Sequence, residues 1–174
     1  MDIQMNLAHL IKTYPDFPKK GVQFKDITPI LANPSAYKQF FLKSLNWLED
    51  KEIDLIAGIE SRGFWFACPL ATYLHVGFVP IRKAGKLPGR IISESYSSEY
   101  SKEKLQIQKS VSENSLKVLI VDDILATGNT ALAAASLVEK TGDIVSGILF
   151  LGEITKLKGR KNLQRYKVHS LVKL

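Results

Sequence analysis

The chain is poor in cysteine and histidine and has no long apolar run. Its single cysteine, Cys68, excludes an internal disulfide framework and fits a reducing compartment. The three histidines, His9, His75 and His169, stand far apart, and none is placed like a general base. No apolar run approaches the roughly 20 residues that span a bilayer, so no membrane partner is expected. The first residues, MDIQMNLAHLIKTY, lack a charged lead-in, a long apolar core and a cleavage signature. A cytoplasmic location is therefore expected. Repeats and low-complexity tracts are absent too, which sets aside solenoids and disordered arrays.

Acid is also the minority charge. Against 24 Lys and Arg stand 17 Asp and Glu, giving a formal net charge of +7 and a pI near 9.4. Such a balance suits nucleic-acid binding when the cations cluster among aromatics. Here the lysines are dispersed, and Lys156, Lys158, Arg160 and Lys161 have no interleaved aromatics. No nucleic-acid partner is expected. Most of the charge reads as solvated surface, with part serving a small polyanion. At 174 residues, 45% hydrophobic and 24% charged, the chain suits one domain over 1–174 with a sizeable core.

What is present is an alternation of buried strands and helices. Residues 3–13 carry Ile3, Leu7, Leu10 and Ile11 at helical spacing. Tyr14–Gly21 breaks that pattern with two prolines and a glycine. Asn33 followed by Pro34 starts a helix predicted over 34–52. Strands are predicted at 53–58, 77–82, 118–121, 144–152 and near 166–172, with helices over 64–74 and 130–141. Phe64, Trp65 and Phe66 read as core or interface packing, and Cys68 as filler. Residues 84–103 mix Gly, Pro, Ser and charge, and 104–109 alternates with period two. An exposed hairpin around a mobile loop, outside the core, is expected there. The alternation implies a mostly parallel sheet.

The richest stretch is Lys117–Thr130, KVLIVDDILATGNT. Its short, β-branched apolar run reads as a strand buried on both faces. Ligands sit beyond the carboxyl ends of such strands, which places Asp122 and Asp123 at a site. The following loop offers backbone N–H groups and Thr hydroxyls at a helix N-terminus, a cradle for phosphate. Carboxylates for hydroxyls beside donors for phosphate describe a sugar-phosphate site. The same strand would suit a phosphoacceptor receiver domain, but there the motif opens a chain with about twice the length still to follow.

Asp122-Asp123 followed by Ala126-Thr127-Gly128-Asn129-Thr130 resembles the phosphoribosyl-pyrophosphate (PRPP) motif of type I phosphoribosyltransferases. YPDFPKKGVQFKDITPI (14–30), GIESRG (58–63), IRKAGKLPG (81–89) and SYSSEYSKEKLQIQ (95–108) are similar to the members acting on adenine. The resemblance implies an α/β fold with a twisted, mainly parallel five-stranded sheet flanked by helices. It also implies a small hood, contributed mainly by about residues 1–33, and a flexible catalytic loop at about 90–109. The implied reaction transfers the phosphoribosyl group of PRPP to N9 of adenine, giving AMP and pyrophosphate. Runner-up readings are a transferase for another purine, such as xanthine or hypoxanthine, and a non-catalytic PRPP- or purine-sensing regulator. The dozen residues before Tyr14 are too few for a helix-turn-helix, which weighs against the regulator.

By the same resemblance, Ala126, Thr127, Gly128, Asn129 and Thr130 bind the 5′-phosphate, while Asp122 and Asp123 hold the ribose hydroxyls. Asn129 stands where the family usually has Gly. Asn tolerates left-handed backbone well, so the loop is expected to keep its shape. Glu60, Ser61 and Arg62 occupy the pyrophosphate loop, with the 60–61 peptide expected cis. Arg82, Lys83 and Lys86 are also assigned to pyrophosphate, although from sequence alone they suit a solvated edge, and Arg62 suits a structural ion pair. Glu99 is expected to exchange a proton with N7 of the base, and Tyr100 to close over the reacting centre. Adenine is expected on Phe24, with backbone around Gln23 reading its edge and Ile154 covering its other face. Lys25 stands where many members carry Arg, and the two are not equivalent in planar contacts. Magnesium is expected to arrive with PRPP, without a protein-built metal site, and a homodimer is implied.

Overall fold

The computed structural model describes residues 5–97, 102–109 and 114–174. Its centre is a sheet of seven strands in the order β5-β6-β4-β3-β7-β8-β9. These are β3 (Leu55–Ile59), β4 (Gly77–Lys83), β5 (Ile91–Ser97), β6 (Lys102–Gln108), β7 (Lys117–Leu125), β8 (Ile144–Glu153) and β9 (Val168–Lys173). The five strands from β4 to β9 in that order run parallel, as the alternating pattern predicts. The β5–β6 hairpin extends them antiparallel, making seven where five were expected.

Both faces of the parallel portion are covered, which explains its continuous apolar runs. Leu119 and Val121 of β7 face a core with α3 (Pro34–Leu48) and α4 (Phe64–Leu74), where Phe40 and Phe66 are fully buried. Val118 and Ile120 face the opposite core with α5 (Asn129–Thr141). Ala131, Ala133, Ala134 and Ala135 keep that helix thin enough for close approach to the sheet and to β5. α3 begins as predicted, with Asn33 Oδ1 accepting from Ala36 N at 3.0 Å, and ends at Leu48.

Three expectations need correction. Of the helix predicted over 3–13, residues 3 and 4 lie outside the described residues, and within 5–13 the helix is confined to α1, Leu7–Leu10, capped by Asn6. The chain then enters β1 (Lys12–Pro15), which pairs antiparallel with β2 (Gln23–Asp26), and a one-turn helix α2 (Thr28–Leu31) follows. This hairpin is the hood, formed where the sequence shows mainly a proline-rich break. Finally, the 104–109 segment is core on one side. Leu105 and Ile107 are buried beneath α5, and Gln106 is buried because it hydrogen-bonds Ser93 Oγ and the Gly85 N–H.

Candidate active site

The carboxyl ends of β3, β4 and β7 lie side by side, and Glu60, Arg62, Arg82, Lys83, Asp122 and Asp123 lie at or just beyond them. A cleft of about 300 Å³ opens there. It is lined by Glu60, Lys83, Asp122, Ala126, Thr127, Gly128 and Thr130 from the predicted set. Tyr96, Glu103 and Phe150 also line it and were not among the predicted residues. Among the described residues, no group of three or more His, Cys, Asp or Glu could hold a metal ion.

The 126–130 loop, a candidate cradle for phosphate, is built by close backbone packing. Gly128, at φ +84, turns the chain left-handed into α5. A methyl group at position 128 would sit 2.5 Å from the Gly159 carbonyl oxygen, and one at 159 would sit 2.3 Å from that of Ala126. Asn162 Nδ2 donates to Thr127 O at 3.0 Å and to Asn129 Oδ1 at 2.8 Å. The left-handed residue is therefore Gly128. Asn129 is the first residue of α5, so the left-handed tolerance invoked for it is not needed. Its side chain donates to Ser97 O at 2.9 Å, tying the end of β5 to the cradle. Gly159 and Asn162 carry no signal in the sequence, because both act across a gap of some thirty residues.

Asp122 and Asp123 form a strained electrostatic pair. Asp122 Oδ1 accepts from the Asp123 N–H at 2.9 Å. Burial, then the neighbouring Asp123 charge, pushes Asp122 well above its ordinary value of 3.8. Burial also raises Asp123, against the pull of Arg62. Arg62 Nε lies 2.8 Å from Asp123 Oδ2, in ionic contact but without hydrogen-bond alignment. Among the described residues this buried oxygen has no hydrogen-bond donor, and a hydroxyl would supply one.

Arg62 also reaches the hood. Its Nη1 donates to Lys25 O at 3.1 Å, and its guanidinium carbon lies 4.9 Å from the centre of the Phe24 ring. The ion-pair reading left open in the sequence thus describes Arg62 as it stands here, linking the aspartates to Phe24. Phe17 packs edge-on to Phe24 with ring centres 5.1 Å apart. Lys25 Nζ donates to Thr13 Oγ1 at 2.8 Å across the hairpin, so this side chain braces the hood. Gln23 is exposed on β2, and the half-buried Ile154 is fixed beside the cradle by its N–H to Leu125 O at 2.9 Å.

Glu60 gathers the basic segment. Its carboxylate accepts from Arg82 Nε at 3.3 Å, from the Lys83 N–H at 3.0 Å and from Lys86 Nζ. Burial raises Glu60, but these donors outweigh it and hold the carboxyl below its ordinary value. The 60–61 peptide is cis, and Ser61 is exposed. On the neighbouring strand β6, Glu103 Oε2 meets Lys83 Nζ at 3.0 Å, and Tyr96 Oη donates to the same oxygen at 3.1 Å. Burial, with Glu103 and Asp122 nearby, pushes Tyr96 up to about 12 despite a hydrogen bond from Thr130, so it remains a protonated donor. Glu99 and Tyr100 lie outside the described residues.

The model of the phosphoribosyl transferase domain matches residues 29–167. The chain belongs to the phosphoribosyltransferase family. An adenine phosphoribosyltransferase of Nitrosopumilus maritimus is 50% identical over 169 residues, covering 97% of this chain and 99% of that protein. The crystal structure of the Thermoanaerobacter pseudethanolicus adenine phosphoribosyltransferase matches with TM-score 0.92 at 48% identity, covering 97% of this chain and 98% of that one. The Giardia lamblia enzyme complexed with 9-deazaadenine matches with TM-score 0.92 at 38% identity, over 98% and 99% of the two chains.

In this phosphoribosyltransferase the aspartate pair carries a cost when no ligand is bound. A carboxyl raised on folding binds more protons in the folded chain than in the unfolded one. Stability therefore falls as pH rises from the ordinary 3.8 through the raised folded value. Asp122→Asn keeps the acceptor for the Asp123 N–H and removes the charge. At neutral pH it should stabilise the ligand-free protein by about 1 kcal/mol, or roughly 2–4 °C in melting temperature, while weakening sugar binding. The gain should vanish below about pH 4, where both forms are neutral. Thermal melts across pH check this; a destabilised Asn variant at neutral pH would contradict it.

Proposed function

We propose that this chain is an adenine phosphoribosyltransferase, a pentosyl transferase of purine salvage that joins PRPP and adenine to give AMP and pyrophosphate. The observation that carries the reading is near-complete coverage by proteins of that name at about half identity. The phosphate cradle beside paired carboxylates supports it independently. The 5′-phosphate occupies the Ala126–Thr130 loop, where N–H groups and the α5 terminus meet it. Asp122 and Asp123 accept from the ribose 2′- and 3′-hydroxyls, charge-assisted bonds stronger than neutral ones.

Adenine stacks on Phe24, with backbone around Gln23 at its edge and Ile154 over its other face, so Arg62 must leave the ring as substrates bind. Once released, its fork of donors is available to pyrophosphate, together with Lys83, Arg82 and Lys86. Magnesium would enter as part of the PRPP substrate and would supply neutralising charge for the departing pyrophosphate. The C1′–O bond to pyrophosphate breaks while the C1′–N9 bond forms, and the proton on N7 passes to Glu99. Positioning and charge neutralisation supply the protein's share of the acceleration. Tyr100 closes over this centre.

The protein works in the cytoplasm as a homodimer. Trp65 and Tyr73 on α4, 43% and 60% exposed, are apolar surface suited to a second copy. Light scattering should return twice the 19.5 kDa chain mass. Pyrophosphate release from PRPP and magnesium, followed with each purine base in turn, tests the function. Turnover with adenine is expected; turnover with hypoxanthine alone, or with no base, would overturn it.

A further inference from the structure

Every cation assigned to the leaving group has a carboxylate in the ligand-free protein: Arg62 has Asp123, and Arg82, Lys83 and Lys86 are held by Glu60 and Glu103 in different ways. Glu60 is 8% exposed and gathers Arg82, Lys86 and the Lys83 N–H, so it organises the turn as a buried hub. Glu103 on β6 meets the Lys83 ammonium of the adjacent strand β4 at 3.0 Å, with side chains 54% and 27% exposed at the Lys and Glu ends. Tyr96 Oη, 3.1 Å from the same oxygen, aims the carboxylate along the cleft wall. That wall also carries Asp122 and the phosphate cradle, where a polyanion must enter.

We infer that Glu103 sets the affinity for pyrophosphate by competing with it for Lys83. The inference rests on the assignment of Lys83 to pyrophosphate made above. A half-exposed ion pair is weak and easily exchanged. An arriving pyrophosphate takes Lys83 from Glu103, and the displaced carboxylate then repels the bound anion. Both effects weaken retention, and the same pair re-forms as the product leaves. Glu103 is a positioning residue in this account: it acts through Lys83 and touches no reacting atom.

Calorimetric titration of inorganic pyrophosphate with magnesium tests it on four proteins: wild type, Glu103→Gln, Lys83→Met and the double variant. Glu103→Gln should bind pyrophosphate about 3–10-fold more tightly, and added salt should shrink the gain. Lys83→Met should bind it more weakly, and most of the Glu103→Gln gain should disappear in that background. If Lys83→Met binds as wild type does, the assignment of Lys83 is wrong. If Lys83→Met weakens binding but Glu103→Gln leaves it unchanged or weaker, the competition is refuted while the assignment stands. A gain that persists in full without Lys83, or that ignores salt, also refutes the competition.

Discussion

Gly128→Ala is expected to raise the KM for PRPP about 10–100-fold and to lower the melting temperature by about 2–8 °C. Two independent features converge on this position. The backbone is left-handed there, at φ +84, which costs a side-chain-bearing residue about 1–2 kcal/mol. The added methyl would also meet the Gly159 carbonyl oxygen at 2.5 Å, and that atom is backbone held by its own short helix. The loop must therefore shift, and its N–H groups move away from the phosphate. Losing one such charge-assisted hydrogen bond costs about 1.5–3 kcal/mol, which sets the size of the KM effect. Initial rates at varied PRPP and a thermal melt measure both quantities. A variant with wild-type KM would show that the cradle does not hold the 5′-phosphate.

Glu99→Gln is expected to lower kcat for AMP formation by about 10²–10⁴-fold, the span of a lost general acid–base group. PRPP affinity should stay near wild type, because the cradle and the aspartates are untouched. The substitution keeps size and hydrogen-bonding capacity but cannot accept the N7 proton. Ser97, two residues before Glu99, accepts from Asn129 Nδ2 at 2.9 Å, so the strand leading to Glu99 is tied to the phosphate loop. Steady-state kinetics and PRPP titration separate the two readouts. A variant turning over at the wild-type rate would remove Glu99 from the chemistry.

The elements legible in the sequence are those whose pattern is local and whose burial is complete. β7 reads directly from KVLIV because both its faces are covered, and α4 from Phe64 to Leu74 because its apolar residues are dense and contiguous. The aspartate pair and Gly128 were legible for a similar reason: strand end, turn and helix start lie within fourteen residues, 117–130. The hood was read from resemblance, but its β1–β2 hairpin was not legible in the local pattern, because the two strands gain their pairing from each other across a proline-rich turn. Burial of the β5–β6 hairpin depends on the alanines of α5, which lie far along the chain.

The site shows the same division. Residue types following β3, β4 and β7 were readable, but their ligand-free partners were not. Arg62 faces Asp123 and Phe24, and Lys25 braces Thr13. Tyr96, Glu103, Gly159 and Asn162 enter through contacts between distant segments. Asn129 drew attention as a departure in a glycine position, yet the strained turn belongs to Gly128.

A crystal structure of the protein with bound AMP tests the central assignment most directly, since one product molecule reports on cradle, clamp and hood together. The phosphate should accept from N–H groups of residues 126–130. The ribose hydroxyls should donate to Asp122 and Asp123, and adenine should lie on Phe24 with Arg62 displaced from the ring. A phosphate bound away from the 126–130 loop, or a ribose without contact to either aspartate, would contradict the account.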